Sequence, residues 1–275
     1  MKAEDPTLAA RFFFNNCAVS LHLPGELKIS RTLKPEPGDI VLDRDFIPAG
    51  WPSEFIGAQS DFYKFLDATS LSNAALIKKL TAIGYMLCNK LPRGGRRCRA
   101  FLCVNEDTGA YANGKSLFSK SIAQLCNHVL SYAGKSLISP LAMVNEATNL
   151  LILDGAVSRF DFCGLYNLCT DDWRIERKAQ PELVIPIRKA PYLIITSSVS
   201  SKMLCKDGSF RRRFAVLEFA SMFGPEFPID KFIGCIMFHD WDRNQWHMFD
   251  NLMFYCVLEY LRSYDRGEDV FSLYE

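Results

Sequence analysis

The chain has 275 residues, 49% hydrophobic and 23% charged, an ordinary globular composition with enough apolar material for one large domain with appendages or for two smaller ones. A formal net charge of +1 excludes a global electrostatic pull toward nucleic acid or membrane and leaves room only for local basic patches. No apolar run approaches the ~18 residues of a membrane span, charged residues interrupt any signal-peptide pattern, and ten cysteines without a CxxC pair (Cys88, Cys103 and Cys256 lie inside apolar runs) read as reduced core residues of a cytoplasmic protein.

Residues 1–68 are rich in Pro and Gly and read as an irregular or linker segment of short elements and turns. From Ser72 the residues Leu76, Leu80, Ile83 and Leu87 recur at helical steps, and Pro92 closes a helical segment that spans 69–95. AFLCV at 100–104 is a short apolar strand, followed by a glycine loop and a helix from 115 to about 130. LLIL at 150–153 is a second strand, ending on Asp154. LVIPI is extended, YLIIT at 192–196 is a third strand and FAVLEF at 214–219 a fourth. Strands alternating with helices imply an α/β fold with a parallel sheet flanked by helices over 96–222. In the C-terminal segment, 223–275, Trp246, Phe249, Leu252, Met253, Val257 and Tyr260 mark a helix with an aromatic core face.

GAYANGKS at 109–116 fits GxxxxGK[ST] at each fixed position, Gly109, Gly114, Lys115 and Ser116, with a strand before it and an amphipathic helix after it. The chemistry accounts for the residues. Gly109, Ala110, Tyr111, Ala112, Asn113 and Gly114 form a loop whose backbone N–H groups face phosphates, and the helix N-terminus adds favourable partial charge. Lys115 reaches the β- and γ-phosphates of ATP, and the Ser116 hydroxyl binds Mg²⁺. AGKS at 133–136 lacks the first glycine, since Val129 stands there, and reads as a helix end with Gly134 as its terminal glycine.

Three later segments bear on what the loop is used for. Asp154 closes an apolar strand, where a Mg²⁺-holding carboxylate belongs. Thr196-Ser197-Ser198 tips the YLIIT strand with polar groups able to contact a γ-phosphate or a water, unless it is only a serine turn leaving the core. In GSFRRRFAVLEF three arginines precede a strand; they are either a basic surface turn or a source of transition-state charge for a neighbouring subunit.

GYMLCNKL, ANGKSLFSKSI, ILDGA, LCTDDWRIERK, APYLIITSS and SFRRRFAVLEF, in this order, resemble the motif set of superfamily 3 helicases, and more narrowly the helicase half of phage and mobile-element primase-helicases. The tail FHDWDRNQWHMFDNLMFYCVLEYL resembles the segment that follows the ATPase in that group, so the resemblance runs from about residue 70 to the end and leaves the first sixty or so unexplained. It implies a P-loop NTPase of AAA+-like type that hydrolyses ATP with Mg²⁺ between the subunits of a ring, a homo-hexamer, on single-stranded DNA, with a primase domain or protein as partner, in the cytoplasm of a bacterial host. Carried onto this chain, the catalytic set is Lys115, Asp154, Ser198, Arg212 and Arg213, with Arg213 the better arginine finger because it abuts the strand. Thr170, Asp171, Asp172 and Lys178 match the motif that carries a DNA-contacting hairpin. Two positions depart from the family: Gly155 stands where a second acid is usual, and Ser198 where asparagine is usual.

Arg174, Arg177, Lys178, Arg188 and Lys189 lie in two extended arms around Gln180-Pro181, a pattern for either a solvated loop or a basic hairpin gripping DNA phosphates. The DNA-binding candidates are Arg177, Lys178, Arg188 and Lys189. PRGGRRCR at 92–99 reads as a solvated basic turn. Gly155 and Ser198 favour a rival function, an ATP-binding assembly or regulatory module with little hydrolysis. The arginines and the basic arms argue against a small-molecule phosphotransferase.

Overall fold

The computed structural model describes residues 5–49, 59–93, 99–106, 113–133, 138–156, 162–177, 180–204, 207–269 and 271. They form two compact units, one from Met1–Leu91, Tyr111–Gly114 and Met222–Glu275, the other from Pro92–Ala110 and Lys115–Ser221.

The N-terminal segment is more regular than its Pro and Gly content suggests. β1 (Leu8–Phe13), β2 (Ala18–His22), β3 (Glu26–Ser30) and β4 (Ile40–Val41) make a sheet ordered β3-β2-β1-β4, antiparallel except for the β1–β4 pair. Strands of two to six residues separated by turn residues carry too few alternations to stand out from turns in the sequence. α1 (Asp61–Ala68) and α2 (Asn73–Leu87) follow. Each begins at a serine cap: Ser60 Oγ accepts from the Tyr63 N–H at 3.0 Å and Ser72 Oγ from the Ala75 N–H at 3.2 Å.

The second unit is built on β5 (Ala100–Asn105), whose six residues are all buried. α3 (Lys115–Ala123) stops at 123, short of the 130 expected; a turn over 124–128 follows, and β6 (Val129–Ala133) begins where the helix was expected to end. Turn hydrogen bonds from Leu125 N–H to Ile122 O and from Cys126 N–H to Ala123 O end the helix, and Val129 to Ala133 then pair with β7 (Leu150–Ala156) at the sheet edge. Ala133 is therefore the last residue of an edge strand and not part of a helix end; Gly134, Lys135 and Ser136 lie outside the described residues. The edge strand's half-exposed pattern over five residues imitates a continuing helix face.

α4 (Ile138–Met143) joins β6 to β7. Beyond β7, two short 3-10 turns lead into the hairpin β8 (Trp173–Ile175) and β9 (Leu183–Ile185), then β10 (Tyr192–Ser200), α5 (Gly208–Arg213) and β11 (Phe214–Phe219). The five-stranded sheet runs β11-β5-β10-β7-β6 with each neighbouring pair parallel, as the strand–helix alternation predicts. Helices and the hairpin cover it, and Leu102, Leu151, Leu153, Ile195 and Trp173 share one core.

α6 (Ile229–Ile233) and α7 (Arg243–Asp265) return the chain to the first unit. Phe249, Leu252, Met253, Val257 and Tyr260 of α7 are buried as their spacing predicts, and α2 crosses α7 at a glycine. A Cβ built on Gly84 would sit 2.1 Å from the Cys256 carbonyl oxygen and 2.7 Å from Tyr260 Cβ. Gly84→Ala should therefore force the helices apart and lower stability by ~1–3 kcal/mol, read from the denaturant midpoint. An unchanged midpoint would mean that the two helices are not held this close.

Candidate functional site

In a parallel sheet the carboxyl ends of the strands share one edge, and loops there converge. The order β5-β10-β7 sets the β10 tip between the strand that feeds the glycine loop and β7, which carries Asp154 and runs on to Ala156 instead of ending at the aspartate. Gly109, Ala110, Tyr111 and Ala112 lie outside the described residues. Asn113 is buried. Gly114 has φ +79°, and a Cβ there would sit 2.3 Å from Phe65 Cε2, so both backbone and space require glycine at this loop position.

Lys115 and Ser116 open α3, where unpaired backbone N–H groups and the helix dipole favour an anion. Lys115 is half-buried, and its Nζ donates to Asn105 Oδ1 at the end of β5. Burial pushes the Lys115 ammonium below the usual lysine range, against the opposing pull of Cys103 and Asp154.

Ser116 Oγ donates to Asp154 Oδ1 at 2.8 Å, and Thr196 Oγ1 donates to the same carboxylate oxygen. Asp154 is aimed there by a break in the sheet register. Leu153 pairs with Ile195 and Ala156 with Ser197, so Asp154 and Gly155 together face the single residue Thr196. This is a β-bulge, and Gly155 carries it at φ +77° with its N–H donating to Thr196 Oγ1 at 2.9 Å. Nothing lies within 4 Å of a Cβ built on Gly155.

One hydroxyl and one carboxylate oxygen, 2.8 Å apart at a helix N-terminus, fit a hard cation that takes its remaining ligands from phosphates and water. Among the described residues no group of three or more His, Cys, Asp or Glu side chains gathers, so an all-protein cage is not present there. A cation such as Mg²⁺ would be held there through Ser116 and Asp154.

Of the other sequence candidates, Ser198 is exposed on β10, and its carbonyl accepts from Asn105 Nδ2 at 3.3 Å. Arg212 and Arg213 end α5. Arg212 is exposed; Arg213 Nη1 donates to Ser209 O at 3.1 Å, and its guanidinium lies 4.9 Å from the centre of the Tyr166 ring. Phe214 pairs with Ala100 at the amino end of β5, so both arginines sit at the sheet edge opposite the glycine loop. The expected hairpin is present, anchored by buried Trp173, Ile175 and Ile185, with Trp173 Nε1 donating to Leu168 O at 2.8 Å. Arg177 lies at its tip and Lys178 falls outside the described residues. Arg188 and Lys189 are not on a hairpin arm: β9 stops at Ile185, Pro186 ends the pairing, and both residues form an exposed 3-10 turn beyond it.

Asn105 and Thr196 complete the cluster; Thr196 belongs to the polar tip expected on the YLIIT strand, with Asp154 rather than a phosphate as its partner here, and no motif singles out Asn105. The signal for Asn105 is the same as for Asp154, a polar residue closing an apolar strand.

Neither a family model nor a curated protein matches the chain. Among solved structures, the A-form apo structure of the NrS-1 C-terminal region is similar at 10% identity and TM-score 0.44, with 96% of this chain and 72% of that one covered. A second structure of that region is 12% identical at TM-score 0.43, covering 90% and 65%. The JCV helicase bound to a small acetamide compound is 10% identical at TM-score 0.38, covering 77% and 67%.

The open space at Gly155 makes the bulge testable. Gly155→Asp puts its side chain in that space while the left-handed backbone costs about 1 kcal/mol. The expected outcome is a folded variant with a slightly lower denaturant midpoint. Failure to fold would show that the bulge does not tolerate a side chain.

Proposed function

We propose that the chain is an ATP-dependent DNA helicase motor of the superfamily 3 type, serving replication of a phage or mobile element. The observation that carries this reading is the Ser116–Asp154 contact of 2.8 Å beside Lys115. It brings a phosphate-loop hydroxyl and a strand-end carboxylate to one point, from motifs 38 residues apart. In this reading Lys115 binds the β- and γ-phosphates of ATP, and Ser116 and Asp154 hold Mg²⁺. Thr196 fixes the Asp154 carboxylate, and the tip of β10, with Ser198, faces the γ-phosphate.

The arginines support a site shared between copies. Six strand residues at ~3.3 Å each separate the start of β5 from its end, so Arg212 and Arg213 stand roughly 20 Å from their own glycine loop. They serve a phosphate only in another copy, as a ring such as a hexamer would arrange. Each donates to a carbonyl four residues back at 3.1 Å, Arg212 to Gly208 O and Arg213 to Ser209 O; Arg212 is the more exposed, while Arg213 also lies against the Tyr166 ring. Arg177 at the hairpin tip, with Lys178, Arg188 and Lys189, would meet single-stranded DNA by its phosphates. Arg174 is paired with Glu182 at 3.1 Å and contributes less. A primase domain or protein as partner and a bacterial cytoplasm as setting belong to the same reading. No helix among the described residues is long and apolar enough to cross a membrane.

A second reading, an ATP-binding assembly or regulatory module, is favoured by Gly155, which leaves Asp154 without an adjacent acid. Asp171 and Asp172 already serve the hairpin base: Asp171 accepts from Thr170 Oγ1 at 3.1 Å, and Asp172 accepts from the Ile187 N–H at 2.8 Å.

ATP turnover by the purified chain, with and without single-stranded DNA, separates the two readings. The motor predicts hydrolysis that DNA accelerates; tight ATP binding without turnover selects the module. Lys115→Ala should abolish binding or turnover, and unchanged turnover would remove the loop assignment. Arg212→Ala should lower turnover by ~10³-fold and poison mixtures with wild type. Loss merely in proportion to the mutant fraction would rule out sites shared between copies.

A further inference from the structure

A water that attacks a γ-phosphate has to be oriented by an acceptor, and Gly155 supplies none beside Asp154. The topology of the second unit narrows where another carboxylate can come from. Asp171, Asp172, Glu176 and Glu182 belong to the segment that leads through the β8–β9 hairpin to the start of β10, at the amino edge of the sheet. Glu146 precedes β7 at that same edge. Asp207 is occupied as the cap of α5, where it accepts from the Phe210 N–H at 2.7 Å. Glu218 lies on β11, the sheet edge beyond β5. Asp107 and Asp161 fall outside the described residues. Among the described carboxylates of this unit, that leaves Glu106.

Glu106 directly follows the last residue of β5, the strand that feeds the glycine loop. Its main chain is fixed from both sides: the N–H donates to Phe219 O of β11 at 3.2 Å, and the carbonyl accepts from Ser200 Oγ of β10 at 2.8 Å. The residue is half-buried. Asn105, whose Cα is ~3.8 Å away along the chain, accepts from Lys115 Nζ, so Glu106 stands one residue from the ammonium assigned to the β- and γ-phosphates. We propose that Glu106 is a catalytic residue of the ATPase, the carboxylate that orients the attacking water. This rests on the nucleotide reading above and deepens it. In the step, the water oxygen bonds to the γ-phosphorus as the bond from that phosphorus to the β,γ-bridging oxygen breaks. ADP leaves with the electron pair, Glu106 takes a proton from the water, and the proton passes to solvent once phosphate has formed. Asp154 is left to the cation. Two strand spacings separate β5 from β7, roughly 10 Å, so the two carboxylates do not hinder each other's ionisation as an adjacent pair would.

Binding and turnover by the full chain, with single-stranded DNA present, test the assignment. Glu106→Gln keeps the shape and the main-chain bonds but takes no proton. Turnover of ATP should fall by about 100-fold, while affinity for a fluorescent non-hydrolysable ATP analogue and the melting temperature stay at wild-type values. Glu106→Asp keeps the charge on a shorter side chain and should recover part of that turnover. A merely structural role would lower affinity, melting temperature and turnover together; that pattern, or wild-type turnover in Glu106→Gln, overturns the proposal. A wild-type chain that fails to bind the analogue removes the nucleotide reading and the role of Glu106 with it. One that binds the analogue without hydrolysing ATP selects the regulatory module and also removes that role. Wild type and Glu106→Gln hydrolysing ATP alike remove only the role of Glu106.

Discussion

One carboxylate oxygen, Asp154 Oδ1, receives the hydroxyls of Ser116 from α3 and Thr196 from β10, and the second unit's site depends on it. Three elements distant in sequence meet at that atom, and the bulge at Gly155 is what lets them. With β7 in regular register Asp154 would have its own partner on β10; with two residues facing one, the strand twists and the carboxylate is directed toward the helix N-terminus. The same bulge explains why the next position is glycine. A backbone at φ +77° penalises any β-carbon, so geometry that aims the first acid disfavours a second one beside it.

A different constraint governs the first unit. Two buried charged side chains there are paired within it. Arg44 meets Asp250 through two hydrogen bonds of 2.8 and 2.6 Å, and Lys79, fully buried on α2, donates to Thr69 O at 2.7 Å and Ser70 Oγ at 3.0 Å. Burial raises the Asp250 carboxyl while Arg44 opposes that rise, so the two charges each depend on the other's presence. Lys79 serves the exit from α1, where it occupies a carbonyl that the helix leaves without a partner. These interactions join residues up to 206 positions apart, linking the segment that follows β4 to α7.

Four strands of the parallel sheet were legible in the sequence because they are mostly apolar runs, two of them closing on a polar residue, as in AFLCVN and LLILD. The loop was legible because phosphate chemistry tolerates few residues at fixed spacing. The edge strand β6 was not, since five half-exposed residues after a helix carry no distinct period, and the N-terminal sheet was not, since its strands are brief and its pairing is between distant segments. In the site, Lys115, Ser116 and Asp154 declare themselves by position along the chain, whereas Thr196 and Asn105 matter through neighbours across the sheet. Nothing local in TSSVSS or CVN distinguishes a residue that meets a carboxylate or a lysine from one that closes a strand. Strand order, which decides such neighbours, is set by tertiary packing.

The groups that the structure gathers around Lys115 and Asp154 are hydroxyls and a carboxamide, none of which takes a proton near neutral pH. For many hydrolases that would be disabling. Phosphoryl transfer asks less of a base, because its transition state is loose and the attacking water gains little charge before the bond to the leaving group is largely broken. What such a transition state needs is cationic charge on the phosphate and fixed dipoles around it. Lys115 and the α3 N-terminus lie at that end of the sheet. Arg212 and Arg213 lie at the other end, where in the proposed motor they would serve a neighbour's phosphate. On these grounds the replacement of a second acid by Gly155 weighs less against hydrolysis than the absence of a second copy would. In the proposed motor, activity is limited first by assembly and only then by activation of water.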